Sequence, residues 1–188
     1  MRLDTNHRAL VAAAGLGYLF LSLIIAVLPA FDMQKVQGHP GVEAPTPEVL
    51  LGRKLYMEEG CGFCHTQFVR DLELDQPYGR GSVAADYADE SPPMLGTQRT
   101  GPDLADVGSR QPSEMWNLIH LYNPRAVAPH SVMPAYPWFF ELQDKANGEG
   151  LVVPVPAPYA PEGKVIIASD EAIALVRYLQ WLKQVKVP

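Results

Sequence analysis

The chain has few of the residues that build disulfide frameworks, zinc clusters or nucleic-acid surfaces. Only two of its 188 residues are cysteine, so no second cysteine pair exists to complete a four-ligand zinc site. Lysine and arginine number 15 against 21 acidic residues, and they form no basic cluster, which excludes a nucleic-acid-binding surface. The formal net charge of −6 favours a basic protein partner over an acidic one.

Long hydrophobic runs are also absent, with one exception near the N-terminus. Residues 9–31 are 23 uncharged and mostly apolar residues. As a helix they would cover about 34 Å, enough for a bilayer core of about 30 Å. A cleaved secretory signal is the alternative, but its apolar region is usually only about 7 to 15 residues long. Arg2 and Arg8 precede the run, so the positive-inside rule predicts residues 1–8 in the cytoplasm and everything after residue 31 in the periplasm. We therefore predict a single-pass anchor in the inner membrane.

The two cysteines stand three positions apart and a histidine follows at once, in the pentapeptide Cys61-Gly62-Phe63-Cys64-His65. Thiols at this spacing can add to the two vinyl groups of one haem, and the histidine is then placed to bind the iron. A thioredoxin-like redox pair would need a strand-to-helix setting, whereas a helical pattern ends just before Cys61. A disulfide here would close too small a loop to restrain much chain entropy. The motif predicts one covalent haem c, attached at Cys61 and Cys64, with His65 as an iron ligand.

Capping signals and apolar periodicity predict three helices after the anchor. The first covers residues 47–59, between a Thr46 cap and a terminating Gly60. A second covers residues 114–122. The last begins after Ser169 and carries an apolar stripe at a spacing of three, formed by Ile173, Val176, Leu179 and Leu182.

One face of the first helix predicts a close crossing. Gly52 and Tyr56 lie four residues apart, so the last helix could approach at the glycine and place Tyr178 or Trp181 against Tyr56. Crossed terminal helices with the attachment motif directly after the first resemble the mono-haem class I cytochrome c fold. We predict a mainly α chain: a class I cytochrome c domain with long loops, tethered to one N-terminal transmembrane helix.

Proline-rich segments predict two extended regions. Residues 32–46 form the predicted linker between the anchor at 9–31 and the cytochrome domain at 47–188. The segment 152–161 contains four prolines and should form a rigid extended loop.

The side of the iron opposite His65 needs a second ligand. Methionine raises the reduction potential relative to a second histidine, as suits an electron carrier. Two of the six methionines, Met94 and Met133, lie in loops next to prolines and could cross the haem face. His120 and His130 are less favoured, because a lone histidine is more often structural than a ligand. Three arginines are candidate partners for the haem propionates, with a solvated surface position as the default for each: Arg99, Arg110 and Arg125.

Three blocks carry a family resemblance in their order along the chain: Glu59 to Gln67, Arg99 to Gly108, and His120 to Pro137. They resemble the membrane-anchored mono-haem cytochrome c subunit, subunit II, of cbb3-type haem-copper oxidases. The likeness covers about residues 51–140 besides the anchor. It implies haem attachment at Cys61 and Cys64, with His65 and Met133 as the axial ligands of the iron.

The class I resemblance also assigns a partner to the ligand histidine. In that class a Gly-Pro-x-Leu segment supplies a carbonyl that accepts a hydrogen bond from the ligand imidazole, and Pro102 is the matching residue. From the residues alone, Pro102 is simply the second position of a turn.

The resemblance implies a non-catalytic subunit that relays single electrons to a haem-copper catalytic subunit, beside other cytochrome c subunits, with no oxygen chemistry of its own. The alternatives are the cytochrome c subunit of a nitric oxide reductase, a free-standing tethered carrier, and a haem sensor or peroxidase with an open sixth position. Residues 71–98 and 152–161 fit the family less closely and are candidate interfaces to other subunits.

Overall fold

Helices dominate the structure, a computed structural model that describes residues 6–40, 42–144 and 150–185. The predicted mainly α class is therefore confirmed. The described residues divide into two units, one of residues 6–40 and 84–89, the other of 42–83 and 90–185.

The first unit is built on one apolar helical rod. Helix α1 (His7–Ser22) continues through a π-helical turn (Leu23–Val27) into α2 (Leu28–Met33). Pro29, in the first turn of α2, cannot donate to the carbonyl four residues earlier, and the wider π turn lies directly ahead of it. The rod from His7 to Met33 contains an 18-residue stretch with a mean hydropathy of 2.4, and it is long and apolar enough to cross a membrane.

A polar contact ties the end of this unit to its second segment. His39 Nε2 lies 2.9 Å from Asp86 Oδ1, and both side chains are largely buried. Asp86 belongs to a short 3₁₀ turn at Ala84–Tyr87. Residues 36–40 and 42–46 form no helix, in keeping with a linker, while the predicted boundaries of the linker and the cytochrome domain stay predictions.

The second unit contains the three predicted helices. They are α3 (Pro47–Glu58), α5 (Glu114–Tyr122) and α6 (Asp170–Trp181). A short helix, α4 (Val107–Arg110), lies just before α5 in the chain. Each of the three has a hydroxyl cap that accepts from a backbone N–H of its first turn, at 3.2 to 3.3 Å: Thr46, Ser113 and Ser169.

Helices α3 and α6 cross at Gly52, as predicted. A Cβ on Gly52 would lie 2.6 Å from the carbonyl carbon of Ala174 and 2.8 Å from Tyr178 Cβ, so only glycine allows this approach. Tyr56 and Tyr178 meet edge to face with ring centroids 5.4 Å apart. Gln67 Nε2 donates to Tyr178 Oη at 3.1 Å, which joins the chain beyond the cysteine motif to the same crossing.

A small antiparallel sheet was not predicted. It consists of β1 (Phe140–Gln143), β2 (Leu151–Val152) and β3 (Val165–Ala168), in the order β1-β3-β2. Both outer strands pair with β3, with Ala168 opposite Phe140 on one side and Leu151 on the other. Val152 therefore belongs to a strand, and residues 157–160 form a turn, so the predicted extended loop at 152–161 is extended at most over residues 153–156.

Candidate haem site

The cysteine motif lies in a tight turn directly after α3. Gly60 has φ +69°, the left-handed conformation that ends the helix, and a 3₁₀ turn at Cys61–Phe63 follows. The amides of Cys64 and His65 both donate to the carbonyl of Cys61, at 3.1 and 3.0 Å. The turn thus holds both sulfurs and the imidazole within five residues of backbone.

Both cysteines are free thiols, Cys61 half-buried and Cys64 exposed. Burial, with a smaller contribution from Glu59, raises the pKa of Cys61 to about 12. A thiol–disulfide enzyme needs the opposite, a thiol with a lowered pKa that ionises near neutral pH. The environment of Cys61 therefore disfavours the redox-pair alternative, and a thioether at this sulfur would leave no charge to bury.

The ring of His65 is held from two sides. Its Nδ1 lies 2.8 Å from the carbonyl oxygen of Pro102, so the Nδ1–H donates and Nε2 keeps its lone pair. Gly101 backs the ring so closely that a Cβ there would lie 2.8 Å from Nδ1 and 2.9 Å from Nε2. The Gly101 amide in turn donates to the Cys64 carbonyl at 2.9 Å. This arrangement fits the requirements of an iron ligand with a fixed tautomer and orientation.

The two candidate methionines lie on different loops, and both pack against the apolar core. The Met133 backbone is fixed at both ends: its amide donates to Ser131 Oγ at 3.2 Å, and its carbonyl accepts from Arg125 Nη2 at 2.9 Å. Met94 lies beside the cysteine turn, since its methyl group would be 3.7 Å from a Cβ on Gly62. No hydrogen bond or ring contact among the described residues joins Met133 to His65.

The three candidate propionate arginines all donate to protein groups. Arg99 bridges two carboxylates, with Nη1 2.6 Å from Asp75 Oδ1 and Nη2 3.2 Å from Asp103 Oδ2. Arg110 donates to the Asp103 carbonyl, and Arg125 to the Met133 carbonyl. Sequence reasoning missed this Asp75–Arg99–Asp103 cluster, because nothing local in the sequence pairs residues 24 positions apart.

His120 offers a buried nitrogen on the α5 side of the core. Its ring stacks on Trp116 with centroids 4.7 Å apart, and its buried Nδ1 has no hydrogen-bond partner among the described residues. Burial, and secondarily repulsion from His65, lower the pKa of His120 to about 4, so the ring is neutral at pH 7. A neutral imidazole with an unused nitrogen can still form a hydrogen bond with a further polar group.

The rest of the described chain offers no competing metal centre. In residues 6–40, 42–144 and 150–185, no group of three or more His, Cys, Asp or Glu side chains is placed to hold a metal ion. Cys61, Cys64 and His65 are not placed together as a metal-binding group, and their spacing fits haem attachment.

Comparison with known proteins gives a family for this arrangement. The family described as "Cytochrome C oxidase, mono-heme subunit/FixO" matches residues 3–151, which include the apolar rod, the cysteine motif, Pro102 and Met133. No match was found among curated protein sequences. The matched region is most of the chain, and the expected resemblance to subunit II of cbb3-type oxidases is confirmed. The chain belongs to the mono-haem FixO subunit family of cytochrome c oxidases.

Proposed function

We propose that the chain carries one haem c, joined by thioether bonds to Cys61 and Cys64, with His65 and Met133 as the axial ligands of the iron. The observation that carries this proposal is the 2.8 Å hydrogen bond from His65 Nδ1 to Pro102, which leaves Nε2 free to bind metal in a chain of a mono-haem family. When bound, the haem supplies a one-electron carrier. The residues of the chain attach it, orient its ligand and exclude water.

The electron carrier serves as a relay within the oxidase. It passes single electrons toward the catalytic haem-copper subunit and lies beside other cytochrome c subunits of the same complex. Exposed apolar side chains support contact with such partners close to the two ligand loops: Phe63 is 72% exposed within the cysteine motif, and Val132, next to Met133, is 77% exposed. Burial of these side chains by a partner subunit would remove apolar surface from water.

The proposed placement is a single-pass subunit of the inner membrane. Residues 9–31 cross the bilayer, residues 1–8 remain in the cytoplasm, and a linker at 32–46 leads to the cytochrome domain at 47–188 in the periplasm. The apolar rod and the positive residues ahead of it support this topology. Periplasmic placement also suits a haem that is attached after the chain has been exported.

Covalent attachment is tested on the denatured chain. Wild-type protein should retain one haem after denaturation, because thioether bonds survive loss of the fold. Replacing Cys61 and Cys64 together by alanine should release all of it. A wild-type chain that retains no pigment after denaturation would contradict the proposal.

The sixth ligand is tested by comparing two methionines. Met133→Ala should leave the haem attached, lower its reduction potential and allow carbon monoxide to bind the reduced iron, because a coordination position opens. Met94→Ala, a matched loop methionine, should change neither property. An unchanged Met133→Ala spectrum together with an altered Met94→Ala spectrum would reassign the ligand to Met94.

The relay role is tested on the purified membrane complex. A relay subunit should leave the membrane in mild detergent together with a copper-containing catalytic subunit. A complex without copper would favour a nitric oxide reductase, and a released monomer would favour a free-standing carrier.

A further inference from the structure

Two carboxylates in the haem domain are fully buried and share one arginine. Asp75 and Asp103 are each 0% exposed, and the Arg99 side chain between them is 18% exposed. Arg99 lies 2.6 Å from Asp75 and 3.2 Å from Asp103. Buried charges this close together interact far more strongly than surface charges, since little water screens them. The cluster therefore places charges of both signs close together in a part of the domain with little water to screen them.

Hydrogen bonds and the backbone connect the cluster to both chain segments next to the His65 ring. Thr66, the next residue after His65, accepts from Arg99 Nε at 2.9 Å and donates to Asp103 Oδ2 at 2.5 Å. Asp103 directly follows Pro102, whose carbonyl accepts from the His65 ring. Arg99 is thus linked to the proposed ligand His65 by two routes. One runs through Thr66, and the other runs through Asp103 and the neighbouring Pro102.

Asp75 and Asp103 each have further hydrogen-bond partners besides Arg99. Asp75 also binds Arg70, with contacts of 2.8 Å to Nε and 2.9 Å to Nη2. Asp103 also accepts from the amides of Phe68, at 2.9 Å, and Ala105, at 2.8 Å. Loss of Arg99 would therefore leave both carboxylates with hydrogen-bond donors but with one positive charge fewer nearby.

We propose that Arg99 is a positioning residue that sets the reduction potential of the haem carried on His65, with Asp75 and Asp103 as its opposing charges; this rests on the proposed function. Oxidised iron carries one more positive charge than reduced iron. A nearby arginine disfavours the oxidised form and raises the potential, whereas a nearby carboxylate favours the oxidised form and lowers it.

The test compares reduction potentials of the full-length, detergent-solubilised chain, measured by spectroelectrochemical titration. Arg99→Gln should lower the potential and Asp75→Asn should raise it. The double variant, in which one charge of each sign is lost, should return toward the wild-type value, and Arg99→Lys should lie closer to wild type than Arg99→Gln. A purely structural cluster would not produce shifts of opposite sign that cancel.

A matched control is Arg177→Gln, which removes an arginine from an ion pair with Glu114, at 3.1 Å, between α5 and α6. That pair has no hydrogen bond to the residues on either side of His65 in the described chain, so its loss should shift the potential less than loss of Arg99.

Three results would overturn the inference. They are shifts of equal sign in Arg99→Gln and Asp75→Asn, a shift in Arg99→Gln no larger than in the control, or, if Arg99→Gln does not accumulate, an Asp75→Asn potential that fails to rise. Haem retention by the denatured wild-type chain separates this failure from failure of the proposed function. If the chain retains haem but its reduction potential does not respond to the substitutions, only this inference is wrong. If the chain retains no haem, both the inference and the proposed function are wrong.

Discussion

Replacing Gly101 with alanine tests whether the backbone behind His65 holds the imidazole in place. The added Cβ would lie 2.8 Å from Nδ1 and 2.9 Å from Nε2, whereas ordinary contacts begin at 3.4 Å. The Gly101 backbone is held in place because its amide donates a hydrogen bond to the Cys64 carbonyl. The His65 ring must therefore move away from the new Cβ, by about 0.6 Å or more. Overpacking of this kind costs about 1–3 kcal/mol.

That cost would fall on the position that His65 takes as the proposed iron ligand and on its hydrogen bond to Pro102. At about 1.4 kcal/mol per tenfold change, it corresponds to roughly a 5- to 150-fold weaker preference for the ligated state. We expect Gly101→Ala to retain its covalent haem but to lose His65 ligation at a lower guanidinium concentration, followed through the haem absorption spectrum.

Gly62→Ala is the matched control, because Gly62 lies inside the cysteine motif itself. Among the described residues, the atom nearest to its added Cβ is the Met94 methyl, at 3.7 Å, an ordinary contact. The control should behave as wild type. If Gly101→Ala kept both the spectrum and the denaturation midpoint of wild type, the proposed confinement of His65 would be refuted.

Two further predictions concern stability. Gly52→Ala should destabilise the folded chain by about 2 kcal/mol, because an overpacking cost of about 3 kcal/mol against Ala174 exceeds the helix-propensity gain of about 1 kcal/mol. The denaturant midpoint should fall accordingly. Gly17→Ala is the control and should not lower the midpoint, because no described atom lies within 4 Å of the added Cβ. Hydrogen bonds from Arg70, then from Arg99, hold the pKa of Asp75 well below its usual range. Its contribution to stability is therefore present above the ordinary carboxyl pKa of 3.8 and is lost as the pH falls below that value. The stability difference between wild type and Asp75→Asn should shrink when midpoints are measured from pH 7 down to pH 3, and a constant difference would contradict the assignment.

The helices could be predicted because their signals are local. Each of the three helices in the second unit begins at a hydroxyl cap, and α3 and α5 end within one residue of their predicted stops. The crossing at Gly52 followed from two residues on one face and from the capacity of glycine to admit a neighbouring backbone. These features depend on few atoms outside the segment that encodes them.

The sheet and the ion cluster could not be predicted, because they depend on distant partners. Strand β2 has only two residues and exists through its pairing with β3. Arg99 suits a haem propionate as well as a carboxylate of the protein, and only the fold brings Asp75 to it. Pro102 was assigned through the family resemblance, since proline in a turn does not by itself specify a partner for its carbonyl.

The crossing of α3 and α6 also bears on the order in which the protein matures. Gly52 and Ala174 are 122 positions apart, so a ribosome completes α3 and the cysteine turn well before α6 exists. During that interval Gly52 and Tyr56 have no partner helix, and this face of α3 stays open to solvent. Closure of this crossing is then a late event in folding, and a chain truncated before α6 should be degraded faster than the full-length chain.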